Sequence, residues 1–315
     1  MEKDLQKKGY FYDPERFADL INGVVCAGKQ VLLSANLTDM DSQTGQFDAS
    51  AGQRKQQKRL KDRHRDLIRK AAFGINFTVF GIENQEEVNY LMPLRCMSYD
   101  VEEYERQAVQ IGKQVRQRKD ITEAEFLSGF AKGSRLSPCI TIVLYYGEEW
   151  DGATDLYDIL DFMSIPKELR DIVNNYKIYL CEVRKFENTD AFKTDLKQVF
   201  DCVKHSDDPE KLYELVANDP SYREMEGDTY DLIAQYTKTN ELMQVKRYKE
   251  GKVDMCKAIT ELIERGRREG IEQGIEQTIH VMKKLNTEKE IAIEHLAEAF
   301  GIGRDDASKR VESNW

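Results

Sequence analysis

Residues 65–85 read Arg65-Asp66-Leu67-Ile68-Arg69-Lys70-Ala71-Ala72-Phe73-Gly74-Ile75-Asn76-Phe77-Thr78-Val79-Phe80-Gly81-Ile82-Glu83-Asn84-Gln85. The segment from Asn76 to Ile82 is dense in β-branched and aromatic side chains, the composition of a strand. Gly74 marks a turn before it, so the residues ending at Lys70 and those starting at Phe77 read as the two arms of a hairpin. Side chains alternate along a strand, which puts Phe77, Val79, Gly81, Glu83 and Gln85 on one face. Glu83 and Gln85 then point the same way, and Asp66 at the edge of the first arm can meet them. Two carboxylates at one spot repel unless a cation lies between them, and a hard divalent ion with oxygen ligands fits. A phosphodiester held at such an ion is open to hydrolysis, because the ion activates water and neutralises charge at phosphorus. The competing reading is plain: an Asp followed at a distance by Glu-x-Gln is also a pattern of ordinary surface carboxylates.

The flanking sequence carries the complementary charge. Arg54, Lys55, Lys58, Arg59, Lys61, Arg63, Arg65, Arg69 and Lys70 face only Asp62 and Asp66, a local basic run of the kind that attracts phosphate. Arg59, Arg63, Arg65 and Arg69 are therefore the candidate DNA contacts, the alternative being the solvated face of an exposed helix. Over the whole chain 47 Lys and Arg stand against 57 Asp and Glu, a formal charge of -10. That balance disfavours indiscriminate binding to DNA or membranes without excluding a local basic site. No run of about 18 apolar residues is present, so a membrane span is not expected. The start, MEKDLQKKGYFYDPERF, has no apolar leader. Six widely spaced cysteines without a CxxC pair read as reduced thiols of a cytoplasmic protein. The four histidines show no metal-ligand spacing, and no P-loop or Gly-x-Gly-x-x-Gly appears, so zinc and nucleotide chemistry are not expected.

Along the chain, Asp13-Pro14 starts a helix in which Phe17, Leu20, Ile21 and Val24 recur at helical spacing. Asp19 on that helix is a further candidate carboxylate for the site, or a solvated one. Residues 30–34 (QVLLS) form a short strand candidate, and 35–53 read as an exposed polar loop. A charged helix is expected over 97–115. Tyr99, Tyr104 and Gln107 on it can touch DNA or pack on the sheet, and Arg95 can hold a phosphate or pair with a carboxylate. Residues 139–146 form the strongest buried strand, and 177–183 another. Strand signals then give way to helical patterns broken at Asp208-Pro209 and Asp219-Pro220. The expected division is 1–188 as an α/β core, 189–264 as a helical region, and 265–315 as a helical tail. In the tail, Ile271, Ile275 and Ile279 share one helix face, available for self-association or for docking on the chain itself. The helix, glycine turn and helix around Gly301-Ile302-Gly303 has the outline of a helix-turn-helix or of a small cap.

The segments FYDPERFADLINGVV, RHRDLIRKAAFGINFTVFGIENQEEVNYLMPLRCMSYDVEEY, EFLSGF and ITIVLYYGEEWDG, with the Gly/Glu-rich tail RGRREGIEQGIEQ, resemble the Rpn family of recombination-promoting nucleases and transposases, part of the PD-(D/E)XK nuclease superfamily. The resemblance implies an α/β (α+β) fold with a restriction-endonuclease-like αβββαβ core and a helical C-terminal region. It further implies a Mg²⁺- or Mn²⁺-dependent DNA endonuclease acting in recombination or transposition of mobile DNA. Matched residue by residue, Asp66 and Glu83 fall on the metal-binding acids, Gln85 on the position usually held by Lys, and Asp19 on the acid of the first helix. Gln85 can donate a hydrogen bond but brings no charge. Lys70, four residues after Asp66 and so on the same strand face, is the candidate to supply it. The alternative is a non-catalytic DNA-binding or assembly protein that keeps the fold, with a homo-oligomer through the C-terminal helix as a further expected partner.

Overall fold

The computed structural model describes residues 9–40, 67–73, 76–239, 241–249 and 251–315. The chain divides into two compact units, Met1–Leu212 with Asp228–Lys238, and Tyr213–Gly227 with Thr239–Trp315. The first unit is mixed α/β. Its first helix, α1 (Pro14–Val24), starts where the sequence places it: the Asp13 carboxylate accepts from the backbone N–H of Glu15 at 2.7 Å and of Arg16 at 3.2 Å. Pro14 at the first helical position forfeits no hydrogen bond there.

Residues 30–34 do not form the expected strand. The Asn22 side chain takes the place of a strand neighbour, accepting from Val31 N at 3.0 Å and Leu32 N at 2.8 Å and donating to Leu32 O at 2.8 Å. With those backbone groups satisfied locally, strand pairing begins only at β1 (Leu37–Asp39). It continues through β2 (Leu67–Phe73) and β3 (Asn76–Gln85) in an antiparallel meander. The long helix α2 (Met92–Val115) then carries the chain over to β4 (Cys139–Tyr145), which runs parallel to β3, and β5 (Tyr179–Glu182) runs parallel to β4. The sheet order is β1-β2-β3-β4-β5. β4 is apolar nearly throughout because, as a parallel strand inside the sheet, it is covered on both faces.

Residues directly opposite in a ladder share a face. Leu67 lies opposite Ile82 and Lys70 opposite Val79, so Ile68, Lys70, Val79, Gly81, Glu83 and Gln85 form one face, and Leu67, Arg69, Phe80 and Ile82 the other. α2 covers the first face. Its Met92 and Cys96 pack with Val143, Tyr145 and Trp150, and its Asp100 accepts from Thr141 Oγ1 at 2.9 Å and Tyr176 OH at 2.6 Å. α1 lies on the second face, where Phe17 sits 5.1 Å under the Arg69 guanidinium.

The boundary expected near residue 188 falls inside the first unit. Helix α3 (Leu196–Lys204) buries Leu196, Val199 and Phe200, and the Phe192 and Phe200 rings lie 4.6 Å apart, tilted by 55°. Arg16 of α1 draws in the following chain: its guanidinium bonds Asp195 at 2.9 and 2.7 Å and Asp228 at 2.5 and 3.1 Å. This network ties α4 (Gly227–Tyr236), from Asp228 on, to the first unit.

The second unit contains three two-residue strands that the sequence reading missed, β6 (Met225–Glu226), β7 (Tyr248–Lys249) and β8 (Lys252–Val253), in the order β6-β8-β7. Two-residue strands are too short for any alternation to register. After them come α5 (Met255–Lys284), α6 (Lys289–Phe300) and α7 (Arg304–Asn314). Ile275 and Ile279 of α5 are buried against Ala292, Ile293, Leu296, Ala307 and Val311, while Ile271 is 40 % exposed. The isoleucine face thus docks on the chain's own α6 and α7. Among the described residues no helix is long and apolar enough to cross a membrane.

Candidate active site

The register of β3 decides the geometry. Glu83 is 0 % exposed, on the strand face covered by the N-terminal half of α2. Gln85, two residues on, donates from Nε2 to Glu83 Oε1 at 3.1 Å. Arg95, in the first turns of α2, forms an ion pair with the same oxygen through Nη2. The Arg95 Nε donates to Tyr99 OH at 2.8 Å, and its guanidinium lies 5.7 Å from the Tyr99 ring centre. A continuous line of polar contacts therefore runs Gln85, Glu83, Arg95, Tyr99 from the sheet into the helix. The apolar cluster of Met92, Cys96, Val143, Tyr145 and Trp150 belongs to the same layer, so the carboxylate and guanidinium act on each other in a medium of low polarity, where charge interactions are strengthened. The Arg95 side chain remains 31 % exposed against 1 % for Glu83, so the cation is the member of the pair that reaches solvent.

Arg95 is the residue that sequence reasoning left undecided. Its signal was available: Met92-Pro93 is a helix start, and a residue in the first turns of a crossover helix sits above the C-terminal end of the preceding strand, where ligands of α/β sheets gather. Tyr99, Tyr104 and Gln107 serve the packing. Tyr99 is 3 % exposed, Tyr104 OH accepts from Cys139 N at 3.0 Å, and Gln107 Oε1 accepts from Ser137 N at 2.7 Å, fixing the entry to β4.

The other expected site residues fare differently. Asp66, Arg59, Arg63 and Arg65 lie outside the described residues. Arg69 is not a DNA contact: it is 1 % exposed, its Nε donates to Asp39 Oδ1 at 2.8 Å, and its Nη2 donates to Tyr12 O at 2.5 Å. Alternation sends it to the α1 face, away from Glu83. Lys70 shares the face of Glu83 but not its neighbourhood. It stands opposite Val79, six residues before Gln85, or roughly 20 Å at strand rise. The cation beside Glu83 is Arg95, and Lys70 does not supply the charge missing at Gln85. Asp19, 4 % exposed, turns Oδ2 to the start of α3, where it accepts from Lys193 N at 2.8 Å and from Thr194 N and Oγ1, each at 2.7 Å. Asp19 thus ties the first helix to the segment that leads into α3. Among the described residues no three Asp, Glu, His or Cys side chains converge to hold a metal ion.

In the tail, both arginines of α7 are paired with carboxylates. In α7, Arg310 is paired with Glu272 and Asp306, Arg304 with Glu290 and Glu294, and the first turn holds Asp305 and Asp306. Acids at the N-terminus of the second helix stand where a recognition helix would meet base edges and phosphates. Comparison with protein-family models, with curated proteins and with solved structures gives no match.

Proposed function

We propose that this chain is a divalent-metal-dependent DNA endonuclease of the Rpn type, with a restriction-endonuclease-like core, acting in recombination or transposition of mobile DNA. The observation that carries the proposal is a fully buried glutamate on the third strand of an α-β-β-β-α-β sequence of elements, with an amide two residues later on the same face. Within the described residues the donor set is one carboxylate and one amide oxygen, fewer than a hard ion requires. Asp66 would complete it. The β2–β3 ladder, as described, ends with Leu67 opposite Ile82, the residues next in sequence to Asp66 and Glu83.

Glu83 and Asp66 would hold Mg²⁺ or Mn²⁺, which when bound supplies Lewis-acid polarisation of the phosphodiester and a lowered pKa for water. The chain's own residues do the rest. Gln85 donates through Nε2 and so orients whatever anionic oxygen lies beside Glu83. Arg95, the solvent-reaching cation, is suited to a non-bridging phosphate oxygen, where a guanidinium stabilises charge that grows towards the transition state. It takes up the electrostatic part that Lys would play in place of Gln85.

The second reading, a DNA-binding or assembly protein without catalysis, is favoured by one contact: Glu83 is already neutralised by Arg95. Hydrolysis of a labelled DNA duplex separates the two. The endonuclease reading expects cleavage by the wild type with Mg²⁺ or Mn²⁺, none with EDTA, and none by Asp66→Ala. Salt-sensitive DNA binding without cleavage under either metal would establish the second reading instead.

A further inference from the structure

Helix α2 has two apolar faces, and its own unit covers only one of them. Met92, Cys96 and Tyr99 are buried towards the sheet, and Gly112 and Val115 are buried at the far end. There the backbone at Gly129 lies close, 3.3 Å from where a Cβ on Gly112 would sit. On the opposite side Leu94, Met97, Val101, Tyr104 and Ala108 recur at intervals of three and four. Leu94 is 36 % and Val101 48 % exposed, Met97 and Ala108 are half-buried, and Tyr104 marks the edge of the stripe, its hydroxyl on Cys139 N. Tyr90, 60 % exposed, stands four residues before Leu94 and continues the spacing. A helix packed on a sheet needs one apolar stripe, and a helix apolar on two sides is covered on both. The chain between β4 and β5 lies beside this second face, where Tyr176 donates to Asp100, the neighbour of Val101, at 2.6 Å. It too holds large apolar groups in water: Met163 is 89 % exposed, Ile172 74 %, Leu169 52 %, and Tyr157, Leu160 and Ile165 37 % each.

We infer that the outer stripe of α2 is the seam of a homodimer, and that its occupant is α2 of a second copy of this chain across a two-fold axis. The inference goes beyond the nuclease reading and does not depend on it. Spacing, charge and area each favour that occupant. Intervals of three and four residues are the a and d positions of successive heptads, and a seam of that period fits another helix rather than a strand or a loop. The chain carries a charge of -10, so two copies repel in general, yet this seam is nearly neutral. Its flanking positions are Pro93, Asp100 and Gln107 on one side and Leu91, Ser98 and Glu105 on the other. Asp100 is 8 % exposed and accepts from Thr141 and Tyr176, which leaves Glu105 as the charge at these positions that a partner helix would meet. A second copy therefore finds no run of like charge, and a strongly charged partner finds little to pair with. At roughly 180 Å² for a whole large side chain, the stripe with Tyr90 exposes about 400 Å² and the chain between β4 and β5 about 500 Å² more. The two together match the roughly 800 Å² per partner of a standard interface. A two-fold contact sets the same patch on both sides, so the apolar surface that one copy presents is the surface that the other needs.

The test is sedimentation equilibrium of the full chain over a range of concentrations, with Trp150 emission reporting the fold of each variant. The wild type should reach twice the chain mass of 36.6 kDa. Val101→Asp and Leu94→Asp each bring a carboxylate into the seam from both copies, and each should raise the dimer dissociation constant about a hundredfold or more, the scale of losing a contact at the centre of an interface. Met163→Asp, at the flank, should raise it about tenfold. Val109→Asp is the control: Val109 is 42 % exposed on the same helix, but it lies one residue past Ala108 and so about 100° round the axis, and the dissociation constant should not change. A wild type that stays at the mass of one chain at every concentration would overturn the inference. So would a dimer whose dissociation constant is unaltered in folded Val101→Asp and Leu94→Asp, because its contact would then lie elsewhere, the C-terminal helices included. The readout is mass, so neither result turns on whether DNA is cut.

Discussion

Replacing Arg95 by Met keeps the length and apolar stem of the side chain and deletes the cation beside Glu83. Breaking a fully buried ion pair costs about 3–5 kcal/mol, and an exposed pair is worth about 1 kcal/mol or less. Glu83 is 1 % exposed in its side chain and Arg95 31 %, so the pair lies nearer the buried limit, and Arg95→Met should destabilise the first unit by about 2–3 kcal/mol. Most of that is the cost of a carboxylate charge in an apolar layer. Adding Glu83→Gln removes the charge and should restore the stability to within about 1 kcal/mol of wild type, giving a coupling energy of at least about 1.5 kcal/mol in the double-mutant cycle. The chain has two tryptophans, which makes the measurement selective. Trp150 is packed edge-on against Tyr145, ring centres 5.1 Å apart, in the first unit, and Trp315 belongs to the second. In a Trp315→Phe background, urea unfolding followed by Trp150 emission reports the first unit alone and avoids treating a two-unit chain as a single transition. A cost below about 0.5 kcal/mol for Arg95→Met, with no coupling to Glu83→Gln, would refute the reasoning, because it would mean the carboxylate does not feel the guanidinium.

Three further outcomes follow from other contacts. A Cβ at Gly23 would sit 2.4 Å from Phe192 Cε1, so Gly23→Ala should destabilise the first unit by about 1–3 kcal/mol through overpacking, and Phe192→Leu in the same chain should recover part of it in the Trp150 assay. At Asp228, burial alone would raise the carboxyl, but the hydrogen bonds and charge of Arg16 outweigh it and hold it below its ordinary value. Such a group contributes stability above the unfolded carboxylate pKa and loses it as pH falls through the folded one. Arg16→Ala should therefore show its largest deficit near neutrality, narrowing below about pH 4 in acid titrations of unfolding; a deficit independent of pH would contradict the pairing. Burial, with a smaller contribution from Glu182, pushes the Cys181 thiol up to about 12. At about pH 9 roughly one such thiol in a thousand is ionised, so mass spectrometry after iodoacetamide treatment should find Cys181 unmodified in the native chain and modified once it is unfolded.

What could be read from the sequence was what local chemistry fixes. The Asp13-Pro14 cap, the antiparallel pairing of β2 with β3 and the apolar run of β4 each depend on neighbours a few residues away, and each appears where the pattern places it. The face shared by Glu83 and Gln85 follows from alternation alone. The reading failed where a distant side chain decides. Residues 30–34 have strand composition, yet Asn22 takes their backbone groups. Arg69 lies in a basic run, but alternation turns it to the face under α1, where Asp39 and the Tyr12 carbonyl hold it. Lys70 has the right face and the wrong register position, since a strand carries a side chain along its axis as well as across it. The unit boundary moved past 188 because Arg16 and Asp19 of the first helix bind residues 193–195 and 228, which no local composition reveals. The isoleucine stripe of α5 was legible as an apolar face; that α6 and α7 would cover it depends on a turn at Gly301, φ +62°, and on how the last two helices fold back.

The central claim is that Glu83 is the acidic centre of a metal-dependent phosphodiester site. The most direct measurement is the rate of nicking of supercoiled plasmid by Glu83→Gln beside the wild type, in Mg²⁺ and in EDTA, with Trp150 emission verifying the fold of both. The account predicts nicking by the wild type in Mg²⁺ only, and a loss of roughly a hundredfold or more in the folded variant, the scale of removing one electrostatic element from an active site. Nicking by folded Glu83→Gln at the wild-type rate would contradict it.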